Sequence, residues 1–224
     1  MGKIVIIGDG ETAELAYEYF THDSPSEIVG FSVESAYLKK QELFGLPVVP
    51  FEEVERTYSP AEHSAFVAIS YTQLNRVRAR LYQATKQKGY SLASYISSRA
   101  FVWHNVEIGE NCFIMENNVL QYAVRVGHNV VLWSGNHVGH QSIIRDNVFV
   151  SSHVVISGYC EVGENCFLGV NSTIANNVQI GKDCLIGMAA VINKNTEERK
   201  VYVGNPAKPI KDSFAHFGLK DEQT

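Results

Sequence analysis

The 224-residue chain contains no apolar run near the roughly 18 residues that would span a bilayer. Its opening run, KIVII at residues 3–7, is cut short by Asp9, Gly10 and Glu11. That pattern suits a buried strand better than a signal peptide. The chain also lacks a positive net charge: a formal charge of −5 argues against a general nucleic-acid or membrane binder. An anionic ligand must then be held by a local cluster of basic or backbone groups. There are four cysteines, Cys112, Cys160, Cys166 and Cys184, and none has the close CxxC spacing of a zinc site. With no secretion signal, a reduced cytoplasmic compartment is expected.

What the sequence has instead is a repeat, and repeats decide a fold. Counting by six from Ile96 gives Val102, Ile108, Ile114, Leu120, Val126, Leu132, Val138, Ile144, Val150, Ile156, Val162, Leu168, Ile174, Ile180, Ile186 and Ile192. Every one of these anchors is aliphatic. A helix repeats every 3.6 residues and a plain strand every 2, so neither explains a period of six. Short strands joined by corners do, with one aliphatic pointing inward on each side of a coil. The fourth residue after each anchor is slim, as in Cys112, Val124, Ser142, Cys160, Cys166, Ser172 and Cys184. It predicts a second inward site near a corner and makes the cysteines small core residues. Glycine often follows the anchor, as at Gly109, Gly127, Gly139, Gly163, Gly169, Gly181 and Gly187, which predicts unusual backbone angles there. A longer period of eighteen, seen in IGENCFI, VGHNVVL and VGENCFL, implies a triangular coil of three hexapeptides. About five coils would stack at a spacing near 4.8 Å.

Residues 1–92 read differently, as a small α/β unit. Strands are expected at Lys3–Ile7, Ile28–Phe31, Pro47–Val49 and Ala65–Ser70. A helix follows the first strand, with Leu15, Ala16, Tyr19 and Phe20 on one face. A second runs from about Gln73 to Lys88, with Leu74, Val77, Leu81 and Ala84 inward and Gly89 as its cap. Gly8, Asp9, Gly10, Glu11, Thr12 and Ala13 are similar to the opening of a dinucleotide fingerprint. A glycine turn opening a helix offers N–H groups to a phosphate or polar ligand. Glu34 follows the second strand, where an acid would meet a ribose. The unit is short for a complete dinucleotide fold, so half a nucleotide site is expected.

These features together resemble the NeuD and PglD type of sugar acyltransferase, within the hexapeptide-repeat acyltransferases. The resemblance rests on IIGDGETAE, AIS with its following helix, the unbroken hexapeptides, GHQSII at 139–144, CFLGVNSTI at 166–174 and VYVGNPAKPIK. It implies a Rossmann-like N-terminal domain (1–92), a left-handed β-helix (93–200) and a CoA-contacting tail (201–224). It also implies a homotrimer, with acetyl-CoA between neighbouring β-helices and a nucleotide sugar on the first domain. No metal is expected. The reaction would be N-acetylation of a UDP- or dTDP-linked amino-deoxy sugar, as in glycan or lipopolysaccharide biosynthesis.

Acyl transfer needs a base and donors for an oxyanion. The resemblance places the base at His140, two residues after the Val138 anchor and therefore outward. His137 would assist, and His153 would contact the acyl end of the donor. The family follows its histidine with an acid, whereas this chain has Gln141, which can hydrogen-bond imidazole but cannot balance imidazolium charge. Glu116 or Asp146 are candidates to replace that acid. Gly158, Val170, Asn171, Gly187, Gly204 and Lys208 are expected to bind CoA, with Lys194, Lys200 and Lys211 adding positive charge. Gly8, Asp9, Gly10, Glu11, Thr12, Glu34 and Ser70 are expected to bind the nucleotide sugar. Three rivals stay open: O-acetylation as of sialic acid, a zinc hydratase built from His137, His140 and His153, and a non-catalytic sugar-nucleotide scaffold.

Overall fold

A computed structural model describes residues 2–220. The N-terminal region holds five strands, β1 (Lys3–Ile7), β2 (Glu27–Val33), β3 (Glu42–Leu43), β4 (Leu46–Pro50) and β5 (His63–Val67), in the order β3-β4-β2-β1-β5. All neighbours pair in parallel except β3 with β4. The strands are near-continuous apolar runs because α1 (Glu11–Asp23) and α3 (Arg76–Gln87) pack beside them, with the short α2 (Val54–Thr57) between. β2 goes to one side of β1 and β5 to the other. This reversal of strand order opens a crevice at the strand C-termini.

The expected second helix begins late. Gln73, Leu74 and Asn75 all have positive φ, at 52°, 50° and 67°, so α3 starts at Arg76. The expected inward residues Leu74 and Leu81 are buried, but the buried face is wider and more polar than the aliphatic stripe alone. Arg78, Leu81, Tyr82 and Thr85 are buried, while Val77 and Ala84 are half-buried. The reason is that α3 packs against polar backbone corners of the coil as well as against apolar side chains.

From Tyr95 the chain forms a parallel β-helix of two-residue strands. Face one stacks strands from Tyr95–Ile96 to Leu185–Ile186, face two from Phe101–Val102 to Val191–Ile192, and face three from Glu107–Ile108 to Gln179–Ile180. Register advances by eighteen residues per coil, as in Leu120 opposite Val138 and Val150 opposite Leu168. From Ile114 to Ile192 every anchor is buried, and the slim positions with all four free cysteines line the same interior. Each such aliphatic side chain contributes about 1.5–3 kcal/mol. Ile96, at the open first coil, is 41% exposed. A hairpin of Lys200–Gly204 and Ala207–Asp212 extends face one at the other end, followed by α4 (Ser213–Phe217).

The glycine expectation needs correction. The left-handed backbone sits on the third residue after the anchor, including Asn111, Asn117, Asn129, Asn147, Asn165, Asn171, Asn177 and Asp183. Asparagine tolerates that conformation better than most residues. The glycines after the anchors serve close approach instead: a Cβ on Gly139 would lie 2.5 Å from Gly158 N, and one on Gly169 2.7 Å from Met188 N.

Outward residues decide what each face meets. Face one presents Tyr95, Phe113, Val131, Phe149 and Phe167, and the N-terminal region covers them. Face three presents Glu107, Arg125, Ile143, Glu161 and Gln179, a mostly polar surface. At the corner between faces three and one, side-chain amides form a ladder. Asn111 Nδ2 donates to Asn129, Asn129 to Asn147, Asn147 to Asn165, and Asn165 to Asp183, at 2.8–3.1 Å. Val67 N–H on β5 donates to Asn111 Oδ1 at one end, and Arg76 donates to Asp183 at the other. Arg78 is buried beside it and donates to the carbonyls of Ser70, Asn129, Asn147 and Val148 and to Asn75 Oδ1. Burial pulls its guanidinium down to about 9, still protonated at neutral pH. These bonds tie the α/β sheet to the coil.

Candidate functional site

All seven residues expected to meet a nucleotide sugar line one crevice at the strand C-termini. Gly8, Asp9, Gly10, Glu11, Thr12, Glu34 and Ser70 surround a volume of about 710 Å³ together with Ser32, Tyr37, Gln73 and Arg80. Gly8 has φ 130°, and a Cβ there would lie 2.8 Å from Ala68 O, so the turn requires glycine. The N-cap of α1 is Gly10, which provides no side-chain cap. Ser32 Oγ is buried in the floor without a hydrogen-bond partner among the described residues. Glu34 is held across the crevice by Arg80, two N–H···O bonds of 2.8 Å to its two oxygens. Arg80, Ser32 and Gln73 escaped the sequence reading. The alternating arginines at 76, 78 and 80 were its available signal.

The histidines do not form one cluster in the chain. His137 is half-buried on a face-two strand, His140 lies at the corner of faces two and three, and His153 lies one coil on at the corner of faces one and two. Among the described residues no group of three or more His, Cys, Asp or Glu side chains could hold a metal ion. The His140 ring rests over Gly158, where a Cβ would come within 2.5 Å of Cε1, and edge-on to Tyr159 at 5.0 Å. Gln121 Oε1 accepts from the His140 backbone N–H. Gln141 is exposed with φ 56°.

Within the chain, the two proposed substitute carboxylates lie at different corners of the prism from His140. Glu116 accepts from Tyr19 Oη and Ser134 Oγ at the corner of faces one and two. Asp146 accepts from His128 N–H at the corner of faces three and one. Gly158 and Gly187 are also poor amide donors to a ligand. Their N–H groups already serve Asn176 Oδ1 and Tyr202 O, and that of Asn171 serves Ser152 O. The Val170 N–H has no such partner among the described residues, and its side chain is 43% exposed. Val170, Asn171 and Gly187 share the corner of faces one and two. Gly158 is on the corner with His140, and Gly204 and Lys208 are exposed on the hairpin.

A bacterial transferase hexapeptide model (six repeats) matches residues 159–194. The chain carries that repeat. No curated protein matches the sequence. Among solved structures, a histidine-to-asparagine variant of perosamine N-acetyltransferase from Caulobacter crescentus, in complex with CoA and GDP-perosamine, superposes with TM-score 0.85. It is 24% identical over 95% of this chain and 98% of that one. The acetyltransferase domain of PglB from Neisseria gonorrhoeae gives TM-score 0.82 at 22% identity, covering 94% and 100%. WeeI from Acinetobacter baumannii gives 0.77 at 22%, also covering 94% and 100%. This chain shares their fold, over nearly its whole length. No helix among the described residues is long and apolar enough to cross a membrane.

Proposed function

We propose that the protein transfers an acetyl group from acetyl-CoA to the amine of a nucleotide-linked amino-deoxy sugar. The observation that carries this reading is the crevice of about 710 Å³ at the reversal of strand order, docked on a hexapeptide coil with an outward histidine. The fold likeness supports it, since the perosamine enzyme was solved with CoA and GDP-perosamine and the PglB domain with acetyl coenzyme A. In this reading residues 1–92 form a Rossmann-like holder for the nucleotide sugar. Residues 93–200 form a left-handed coil carrying the transfer, and 201–220 close over CoA, the last four residues of the expected 201–224 tail lying outside the described residues. UDP, dTDP and GDP sugars are the candidate acceptors.

His140 takes the proton as the sugar amine attacks the thioester carbonyl. Gly158 leaves room for its ring, and Tyr159 limits the ring's tilt. With Glu116 and Asp146 of the same chain held at other corners, Gln141 serves as its hydrogen-bonding neighbour. The donor lies along the corner of faces one and two, with Val170 N–H as one amide contact.

The α/β sheet covers face one, and His140 occupies the opposite corner of the triangle. One chain's crevice therefore cannot deliver a sugar to its own His140. Two chains in contact can, and face two offers the surface. Its outward residues Phe101, Val119, His137, Val155, Thr173 and Val191 are mostly apolar, and Phe101 is 51% exposed. A homotrimer built on that face brings one chain's crevice toward a neighbour's histidine.

The test is thiol release from acetyl-CoA with GDP-, UDP- and dTDP-linked amino sugars. A His140→Asn variant should keep its oligomeric state and lose about 10²–10⁴ in kcat/KM. Unchanged transfer would remove His140 from the role. No transfer to any of these sugars would favour a scaffold, and acetylation of a hydroxyl would favour the O-acetyl rival.

A further inference from the structure

Face two has two edges, and each holds one half of a familiar pair. His140 is exposed at the edge shared with face three, and Glu116 is half-buried at the edge shared with face one. Along residues 97–192 Glu116 is the single carboxylate on face two or at either edge of it. Glu107 and Glu161 lie on face three, and Glu110, Asp146, Glu164 and Asp183 at the corner of faces three and one. The two bonds that Glu116 accepts come from neutral hydroxyls, Ser134 Oγ to Oε1 at 2.6 Å and Tyr19 Oη to Oε2 at 2.8 Å. They fix the carboxylate without cancelling its charge, and other lone pairs stay open. Burial works to raise this carboxyl, but the bonds from Ser134 and Tyr19 outweigh it and hold the group below its usual range, ionised at neutral pH. Glu18, His22 and Asp23 of α1 and the exposed Arg99 share a cavity of about 500 Å³ with it.

The apolar surface of the coil marks the same face. Along residues 97–192 every exposed large apolar side chain lies on face two or at one of its edges. Val155 joins Phe101 on the face itself. Trp103, Tyr122 and Tyr159 stand at the edge with His140, and Val170 and Met188 at the edge with Glu116. In a closed ring of three identical chains the contacts are heterologous, so one edge of face two meets the opposite edge on the next chain. Where the coils run along the threefold axis, equal heights meet. Ser134 belongs to the same coil as His140, and its hydroxyl draws the Glu116 carboxylate up from the coil below, a step of about 4.8 Å.

We infer that Glu116 is a positioning residue for the His140 of the neighbouring chain, supplying across the interface the charge that Gln141 cannot supply within the chain. His140 takes the amine proton on one ring nitrogen. The facing carboxylate accepts from the N–H of the other, fixing the tautomer and balancing the imidazolium. No chain is then complete by itself. The inference rests on the proposed transfer and on its trimer, and adds the residue that the second copy contributes.

Glu116→Gln keeps the side chain's shape and an acceptor for a hydroxyl, so light scattering should still find a trimer. Its kcat/KM for acetyl transfer should fall roughly tenfold or more. Loss of a facing negative charge lowers the pKa of an imidazole, so the acid limb of the pH profile should move down by about one unit. Adding Gln141→Glu to that variant should restore both rate and limb. The decisive measurement co-expresses Glu116→Gln and His140→Asn chains under two tags and isolates trimers that carry both. Any such ring has one interface with both residues intact, so it should regain roughly one third of the wild-type rate. Mixed trimers no faster than the mean of their parents would overturn the inference, as would a Glu116→Gln enzyme with unchanged rate and acid limb. Both results leave wild-type transfer and its dependence on His140 standing. A wild-type protein that acetylates no amino sugar would instead remove the proposed function, and the inference with it.

Discussion

Two corners of the same coil share a backbone and little else. At the corner of faces three and one, the left-handed position is Asn111, Asn129, Asn147, Asn165 and Asp183 in succession. At the corner of faces two and three it is Ala123, Gln141, Tyr159 and Asn177. The first corner uses residues that tolerate positive φ and joins their amides into a ladder under the α/β sheet. The second places a glutamine and a tyrosine in a conformation that costs an ordinary side chain roughly 1–2 kcal/mol, and His140 is there. The corner of faces one and two carries the same strain at His153 and Ala189, so both of these corners differ from the asparagine ladder in holding side chains that tolerate positive φ poorly.

The sharpest way to break this comparison is at Arg78, which joins the ladder corner to the sheet. Arg78→Met should lower unfolding free energy by about 3–5 kcal/mol, because several buried carbonyls lose their donor. Urea denaturation of the intact protein measures it, and a loss under 1 kcal/mol would mean the ladder does not hold the two parts together. Next, Asn147→Ala removes one rung and should cost about 2 kcal/mol. Asn147→Gly should recover part of that, since glycine accepts the left-handed backbone. At the other corner Ala123→Gly has only the backbone to relieve, so any gain there isolates the strain. Tyr159→Asn should stabilise the protein by about 1 kcal/mol while slowing acetyl transfer, read from thermal melts beside thiol-release rates. Equal rates would take Tyr159 out of the site.

The smallest effect is expected at the third corner, where Asp23 accepts from Tyr95 Oη, Ser97 Oγ and Ser98 N–H. Hydrogen bonds from Ser98 and Tyr95 hold its carboxyl below the usual carboxylate range. Its contribution is therefore complete above the unfolded value of about 3.9 and is lost as pH falls through the lower folded value. Asp23→Asn should flatten the fall in melting temperature below about pH 4. A parallel acid limb in the variant would remove Asp23 as its source.

The period of six was legible because burial repeats once per side of the coil, and the slim positions gave the cysteines their place. The crevice was legible from GDGET, Glu34 and Ser70, since a glycine turn and strand ends follow local rules. Corner geometry was not. A hexapeptide pattern says that Glu116, His140 and Asp146 all point outward, but not that they point from three different corners. The period of eighteen, not the period of six, separates those corners. The asparagines three residues after the anchors were the unread sign of the left-handed corners. Arg78 was hidden because a helix with RVRAR reads as a solvated face, and only the coil's backbone carbonyls make its burial tolerable.

A perfect repeat cannot count itself. Sliding the α/β sheet by one coil along face one would again set apolar side chains over apolar side chains, since most coils present an aromatic ring there. The amide ladder removes that ambiguity because its ends differ. One is Asn111 against the Val67 backbone, and the other is a carboxylate, Asp183, facing Arg76. A slip of one rung toward the first coil would set Arg76 against Asn165, an amide where a carboxylate belongs. The ladder thus acts as a ruler with a marked end, indexing which coil the sheet sits on.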